Sequence, residues 1–202
     1  MTFKTLCVPL DQADVRQLRV DDEVRISGII VTARDRAHRY LVERPDGDPL
    51  PFDLRGGVLY HCGPLVRAIP QGFEMVSCGP TTSARMNGFT PAVLKRYGVR
   101  VIIGKGGMGP EVLSALSEFG AVYLSAVGGA AAILARSVQC IVAHHKLAEF
   151  GAPEAMWALR VEGFRAMVTM DAHGRSLHME VERQSLSELE RLLGPRRGRG
   201  RG

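Results

Sequence analysis

No stretch of this 202-residue chain approaches the run of about 18 apolar residues that a membrane-crossing helix requires, so no membrane span is expected. Cysteine is scarce as well. Cys7, Cys62, Cys78 and Cys140 are scattered without a Cys-x-x-Cys pair, which argues against a disulfide framework and fits a reducing compartment. The opening Met1-Thr2-Phe3-Lys4 begins no secretory leader, and acids appear by Asp11, so a cytoplasmic location is expected. Nor is there an internal repeat or a plausible set of metal ligands. His144-His145 lies near Cys140, but the spacing fits no standard site, and a solvated or packed histidine pair is the better reading.

Positive charge is less abundant than it first looks. The net charge is +5, but Arg196, Arg197, Arg199 and Arg201 crowd the last seven residues, and without those four the body carries +1. A hydrophobic share of 46% and a charged share of 23% are those of an ordinary globular domain. We therefore read one domain over residues 1–194, followed by a disordered Arg/Gly tail over 195–202. At eight residues without an aromatic, that tail is a weak RNA-binding element and reads as solvated.

Hydrophobic periodicity predicts a strand over 23–31, where Val24, Ile26, Gly28 and Ile30 alternate. Short strands are predicted over 58–62 and 73–78. Thr90-Pro91 reads as an N-cap with Pro at the first helical position of a helix that Gly98 ends. A strand over 99–103, a glycine loop over 104–109, a helix from Pro110 to the cap at Gly120, and an apolar strand over 121–127 follow. This rhythm predicts an α/β fold with a mainly parallel sheet and flanking helices. Further on, strands are predicted over 161–164, 167–170 and 177–181, then a helix over 185–193 opened by a capping box at Ser185 and Glu188.

Three segments carry cations. Thr32-Ala33-Arg34-Asp35-Arg36-Ala37-His38 follows the first strand, and Gly79-Pro80-Thr81-Thr82-Ser83-Ala84-Arg85-Met86 follows the strand over 73–78. Gly104-Lys105-Gly106-Gly107-Met108-Gly109 precedes a helix. It matches the Gly-x-Gly-x-x-Gly dinucleotide spacing, but the next strand ends without the acid that a ribose needs. Anion binding by Lys105 and the helix N-terminus ranks above nucleotide binding, beside the plain alternative of a tight turn. Thr81 and Thr82 could cap a helix, or could share one helical face with Arg85 and receive a carboxylate. Arg34-Asp35 could be a surface ion pair. Gathered in one pocket, Arg34, Arg85, Lys105 and the two threonines suit a small dicarboxylate, with the rest of the site to come from elsewhere.

In this order, Thr32-Ala33-Arg34-Asp35-x-Ala37-His38, Leu50-Pro51-Phe52-Asp53-Leu54, Gly79-Pro80-Thr81-Thr82-Ser83-x-Arg85-Met86, Gly104-Lys105-Gly106 and Ala126-Val127-Gly128-Gly129-Ala130-Ala131 resemble the iron–sulfur hydro-lyases. The likeness is to the β subunit, or C-terminal domain, of class I fumarase and L(+)-tartrate dehydratase. It covers roughly residues 5 to 180, and the Gly-Pro-Thr-Thr-Ser-x-Arg-Met block is its most specific part.

The resemblance implies a swivelling β/β/α domain and a partner α subunit in an α2β2 assembly. That partner would hold a [4Fe-4S] cluster whose open iron acts as Lewis acid on the leaving hydroxyl, with no metal ligand in this chain. It further implies that Arg34, Arg85 and Lys105 bind the substrate carboxylates, that Thr81 takes the C3 proton and that Thr82 assists by hydrogen bonding. Asp35 and His38 would orient Arg34. A threonine is a weak base in water, so neighbouring cations and desolvation must stabilise its alkoxide. Reversible hydration of fumarate to malate is the first reading, on the Ala126–Ala131 block. Dehydration of L(+)-tartrate to oxaloacetate is the second, on the resemblance of 104–110 and 74–77 to tartrate dehydratase β subunits. An anion- or RNA-binding module using the tail is the reading from another class.

Overall fold

A computed structural model describes residues 3–193, and the Arg/Gly segment 195–202 lies outside the described residues. Strand β1 (Lys4–Cys7) and helix α1 (Gln12–Arg16) lead into β2 (Glu23–Thr32), α2 (Asp35–Glu43) and β3 (Val58–Tyr60). A hairpin of β4 (Leu65–Ile69) and β5 (Gly72–Ser77) precedes α3 (Thr90–Tyr97), β6 (Val101–Gly104), α4 (Pro110–Phe119) and β7 (Val122–Ser125). The chain continues through α5 (Ala131–Ala135), β8 (Val138–His145), α6 (Leu147–Phe150), β9 (Met156–Met170) and α7 (Leu177–Leu193). Among the described residues no helix is long and apolar enough to cross a membrane.

The seven-stranded sheet is mixed, in the order β1-β2-β3-β6-β7-β9-β8. Strands β1, β2, β3, β6 and β7 pair in parallel, whereas β9 runs antiparallel to β7, β8 and β2. Because β9 reaches both β7 and β2, the sheet curls back on itself into a partly closed barrel. Strands β3 and β6 are apolar and buried throughout because both of their faces are covered. Tyr60, Val101 and Ile103 enter one core with Ile26, Trp157 and Phe164, while Leu59, Ile102 and Tyr123 enter the other beneath α2, α3 and α4.

Several local expectations change. The residues 161–170 belong to one 15-residue strand, β9, rather than two, and 177–181 are the first turns of α7 rather than a strand. Ser185 therefore lies inside α7 and caps nothing. Helical spacing of its apolar residues (Met179, Leu186, Leu189, Leu193) prevails over the β-propensity of the short run at 177–181. Thr90 is the first residue of α3, not its cap, and its hydroxyl donates back to the Met86 carbonyl at 2.9 Å. Gly98 and Gly120 do end α3 and α4 in the left-handed conformation.

The topology serves one end of the sheet. The carboxyl ends of β2, β3, β6 and β7 deliver Arg34, His61, Lys105 and the Val127-Gly128 turn to the same edge, where open α/β sheets place their ligands. The loop leaving β5 arrives there too.

Candidate functional site

Backbone hydrogen bonds stitch the cation-bearing loops together before any side chain is considered. Thr81 N–H donates to the His61 carbonyl (2.7 Å), Lys105 N–H to the Thr81 carbonyl (3.3 Å) and Ser83 N–H to the Lys105 carbonyl (3.1 Å). The Ala33 and Ala126 N–H groups donate to the Tyr60 and Gly104 carbonyls, at 2.9 and 2.8 Å. Thr82 and Lys105 form an isolated parallel bridge. The three segments singled out in the sequence thus extend neighbouring strands and lie side by side.

Arg85 sits in a single 3-10 turn, Ser83–Met86, instead of an α-helix. Its Nε and Nη2 donate to Asp35 Oδ1 and Oδ2 at 2.9 and 2.8 Å, a two-pronged pair, and Nη2 also donates to Thr81 Oγ1 at 2.9 Å. The contact between 81 and 85 expected of a helical face is therefore made. Thr82 precedes the turn without making a side-chain cap bond, so the capping alternative fails for it, and it stays exposed. Asp35 opens α2 and gathers both arginines, because Arg34 Nε approaches its Oδ2 at 3.3 Å. Arg34 Nε also meets Glu154 Oε1 at 2.9 Å, and Glu154 Oε2 accepts from Arg36 N–H. The Arg85 bonds hold the Asp35 carboxyl down at about 2. The same pairing raises the Arg85 pKa.

Below this layer lies a buried one. His38 is fully buried, and its N–H and Nδ1 face the Arg34 carbonyl at 2.8 and 3.2 Å. Burial pushes its pKa down to about 4. His61 is equally buried, which lowers its pKa well below the ordinary value, and its ring meets His38 edge to face with centroids 4.9 Å apart. The Lys105 side chain extends over Gly128, whose backbone leaves it room. At the N-terminus of α4 the exposed Glu111 carboxylate lies against Gly109, and Lys105 is the cation of the glycine loop.

His61, Ser83, Tyr123 and Glu154 were not singled out in the sequence. Ser83 stood inside the most specific block, His61 at a strand end and Tyr123 within an apolar run, while Glu154 carried no local signal at all. His144 packs against Phe73 and Trp157 and His145 against Tyr40, which is the packed-pair reading. Cys62 and Cys78 are core thiols that burial pushes up, Cys78 to about 12. Among the described residues no group of three or more His, Cys, Asp or Glu side chains could hold a metal ion. The described residues therefore do not fit an iron–sulfur cluster.

Comparison with known proteins agrees in extent with this geometry. A family model described as Fumarase C-terminus matches residues 4–181. A Geobacillus stearothermophilus protein provisionally named class I fumarate hydratase is 45% identical over 192 residues, 95% of this chain but 36% of the relative. A Methanocaldococcus jannaschii protein provisionally named L(+)-tartrate dehydratase subunit beta is 42% identical over 187 residues, 92% of this chain and 96% of the relative. The L(+)-tartrate dehydratase subunit beta of Escherichia coli K12 is 39% identical over 178 residues, 88% of this chain and 87% of the relative. The chain therefore spans about a third of the fumarate hydratase and most of each tartrate dehydratase subunit.

Proposed function

The chain belongs to the Fumarase C-terminus family, and from that membership and the site's geometry we propose that it is the β subunit of a two-subunit hydro-lyase adding water reversibly to fumarate to give malate. The observation that carries this reading is the junction of Asp35, Arg85 and Thr81 at one end of the sheet, with Arg34 on the same carboxylate and the Lys105 backbone bonded to that of Thr81. A dicarboxylate needs two cationic anchors and a base at the carbon between them. Arg34, Arg85 and Lys105 are the anchors, and the guanidinium fork gives orientation as well as charge. Arg85 donates to Thr81 Oγ1, the arrangement that stabilises a threonine alkoxide able to take the C3 proton. Thr82 assists by hydrogen bonding to the substrate, and Asp35 and His38 orient Arg34.

The [4Fe-4S] cluster, which supplies Lewis-acid activation of the leaving hydroxyl, belongs in this reading to an α-type partner. An α2β2 assembly, a swivelling β/β/α arrangement of this domain ahead of residue 195 and a cytoplasmic location accompany it. L(+)-tartrate is the second substrate reading. It is favoured by the tartrate dehydratase subunits, whose length this chain nearly matches.

The deciding experiment is anaerobic. The chain is co-expressed with its α-type partner, the cluster is reconstituted, and malate, fumarate and L(+)-tartrate are assayed in parallel. Turnover only in the mixture supports the half-site, and the preferred substrate settles which reaction it is. A cluster-loaded complex inactive on all three overturns the assignment.

A further inference from the structure

A second polar layer runs beneath the candidate site. His61 Nδ1 lies 2.8 Å from Ser83 Oγ, Ser83 Oγ lies 2.9 Å from the Tyr123 hydroxyl, and that hydroxyl lies 2.7 Å from the Gly106 carbonyl oxygen. His61 and Ser83 are fully buried, as is the Tyr123 side chain up to its hydroxyl. The members come from different segments. His61 leaves β3, Ser83 follows Thr81-Thr82, Gly106 follows Lys105 and Tyr123 stands on β7. Space for the chain depends on the residue at 104, because a Cβ there would fall 1.8 Å from Ser83 Oγ, 3.0 Å from the Tyr123 hydroxyl and 3.2 Å from His61 Nδ1.

The proton order follows from its far end. A carbonyl only accepts, so Tyr123 must donate to Gly106. With its one proton committed, the Tyr123 oxygen can only accept, and Ser83 donates to it. Ser83 Oγ must then accept from His61, whose proton is placed on Nδ1. No other assignment gives each of the three contacts one donor and one acceptor, and His61 Nε2 makes no hydrogen bond among the described residues.

We propose that His61, Ser83 and Tyr123 are positioning residues for Lys105: a one-way hydrogen-bond chain from His61 Nδ1–H to the Gly106 carbonyl holds the glycine loop, and with it Lys105, in register with Thr81 and Arg85. The role assigned to Lys105 rests on the proposed function, whereas the direction of the chain does not.

Two measurements separate those parts. In the full chain with 15N-labelled histidine, the His61 signal, identified by its loss in His61→Asn, should show a neutral ring protonated at Nδ1. In Tyr123→Phe the Ser83 proton has only His61 to receive it, so the ring should change to the Nε2–H form. An Nε2–H ring in the unmodified chain, or no change in Tyr123→Phe, overturns the chain.

In the reconstituted complex Tyr123→Phe should raise KM for the dicarboxylate and lower kcat/KM about ten-fold, since a small displacement of an anchoring group has effects of this size. Loss of kcat at unchanged KM would mean a merely structural role. His61→Asn, whose amide can replace the Nδ1–H donor, should stay within about three-fold of the parent, and His61→Leu should not. With Lys105 replaced by Ala, Tyr123→Phe should have no further effect. Full additivity there overturns the positioning of Lys105. An unmodified complex inactive on every dicarboxylate overturns the proposed function while leaving the tautomer result to stand or fall alone.

Discussion

Asp35 takes both prongs of Arg85, at 2.9 and 2.8 Å, while the same guanidinium reaches Thr81 Oγ1 at 2.9 Å. One carboxylate at the first turn of α2 thus sets the plane of a guanidinium fifty residues away, and that guanidinium bears on the hydroxyl assigned as base. Asp35→Asn keeps the shape and removes the charge, so kcat/KM should fall about ten-fold as the fork loses its charge-assisted bonds. The depressed carboxyl makes the stability effect directional. Its contribution is full above the ordinary 3.8 and is lost as pH falls through about 2. Denaturation of parent and Asp35→Asn should therefore differ by a constant amount from pH 5 to 8 and converge near pH 2.

Arg85→Ala and Lys105→Ala should each lower kcat/KM by about 10²-fold, the usual cost of removing one preorganised charge-stabilising donor. Both side chains are exposed and leave the cores untouched, so circular dichroism should hardly move; the melting temperature should hold for Lys105→Ala, while Arg85→Ala should lose what its pair with Asp35 contributes. Arg85→Lys should fare little better than Ala, because an ammonium lacks the planar fork that meets both Asp35 oxygens while reaching Thr81. Normal turnover in either alanine variant removes the site assignment.

Gly104 is required by what surrounds it. An alanine methyl 1.8 Å from Ser83 Oγ has no room in a site closed by three polar side chains, and overpacking of this kind costs roughly 1–3 kcal/mol. Gly129, where a methyl group would meet nothing within 4 Å, is the control. Urea denaturation should show Gly104→Ala destabilised and Gly129→Ala within about 0.5 kcal/mol of the parent.

What could be read in the sequence was local. The alternation of Val24, Ile26 and Ile30 and the glycine and proline punctuation around α3 and α4 are decided within a few residues, and those elements formed where periodicity put them. The segments bearing Arg34, Arg85 and Lys105 were legible for the same reason, since each follows a strand and carries a dense local pattern. Strand pairing was not. That β9 would return antiparallel to β2 and curl the sheet depends on contacts more than a hundred residues apart, which no local spacing encodes. Glu154 reaches Arg34 through the same long-range closure. Residues 177–181 misread because five apolar-rich residues suit either element until the helical spacing beyond them is weighed.

Buried histidines set the acid limit of the fold. His38 titrates at about 4 in the folded chain against an ordinary 6.5, because burial disfavours its cation. Between those values the unfolded chain binds a proton that the native one refuses, so stability is full above 6.5 and is lost as pH falls toward 4. His38 alone accounts for a loss on the order of 3 kcal/mol, and His61, displaced in the same direction by burial, adds to it. Guanidinium denaturation should show stability falling already between pH 6.5 and 5.5, before most carboxylates titrate. A flat profile there would mean that neither ring is held neutral.

The Arg/Gly tail separates the hydro-lyase reading from its rival. Four of the net positive charges lie within 195–202, and the site residues lie in a body whose remaining charge is +1. If the chain served chiefly to bind RNA, four arginines on a single strand would give a log–log salt slope of about −3, and deletion of the tail would abolish binding. If the cation cluster at the sheet end is the functional site, removing 195–202 leaves its anchors in place. Turnover of the reconstituted complex should then stay within about two-fold of the parent, with KM unchanged. Comparing the truncated chain in both assays decides the matter: intact turnover without RNA affinity assigns function to the sheet end, whereas lost RNA affinity in a chain that never supported turnover assigns it to the tail.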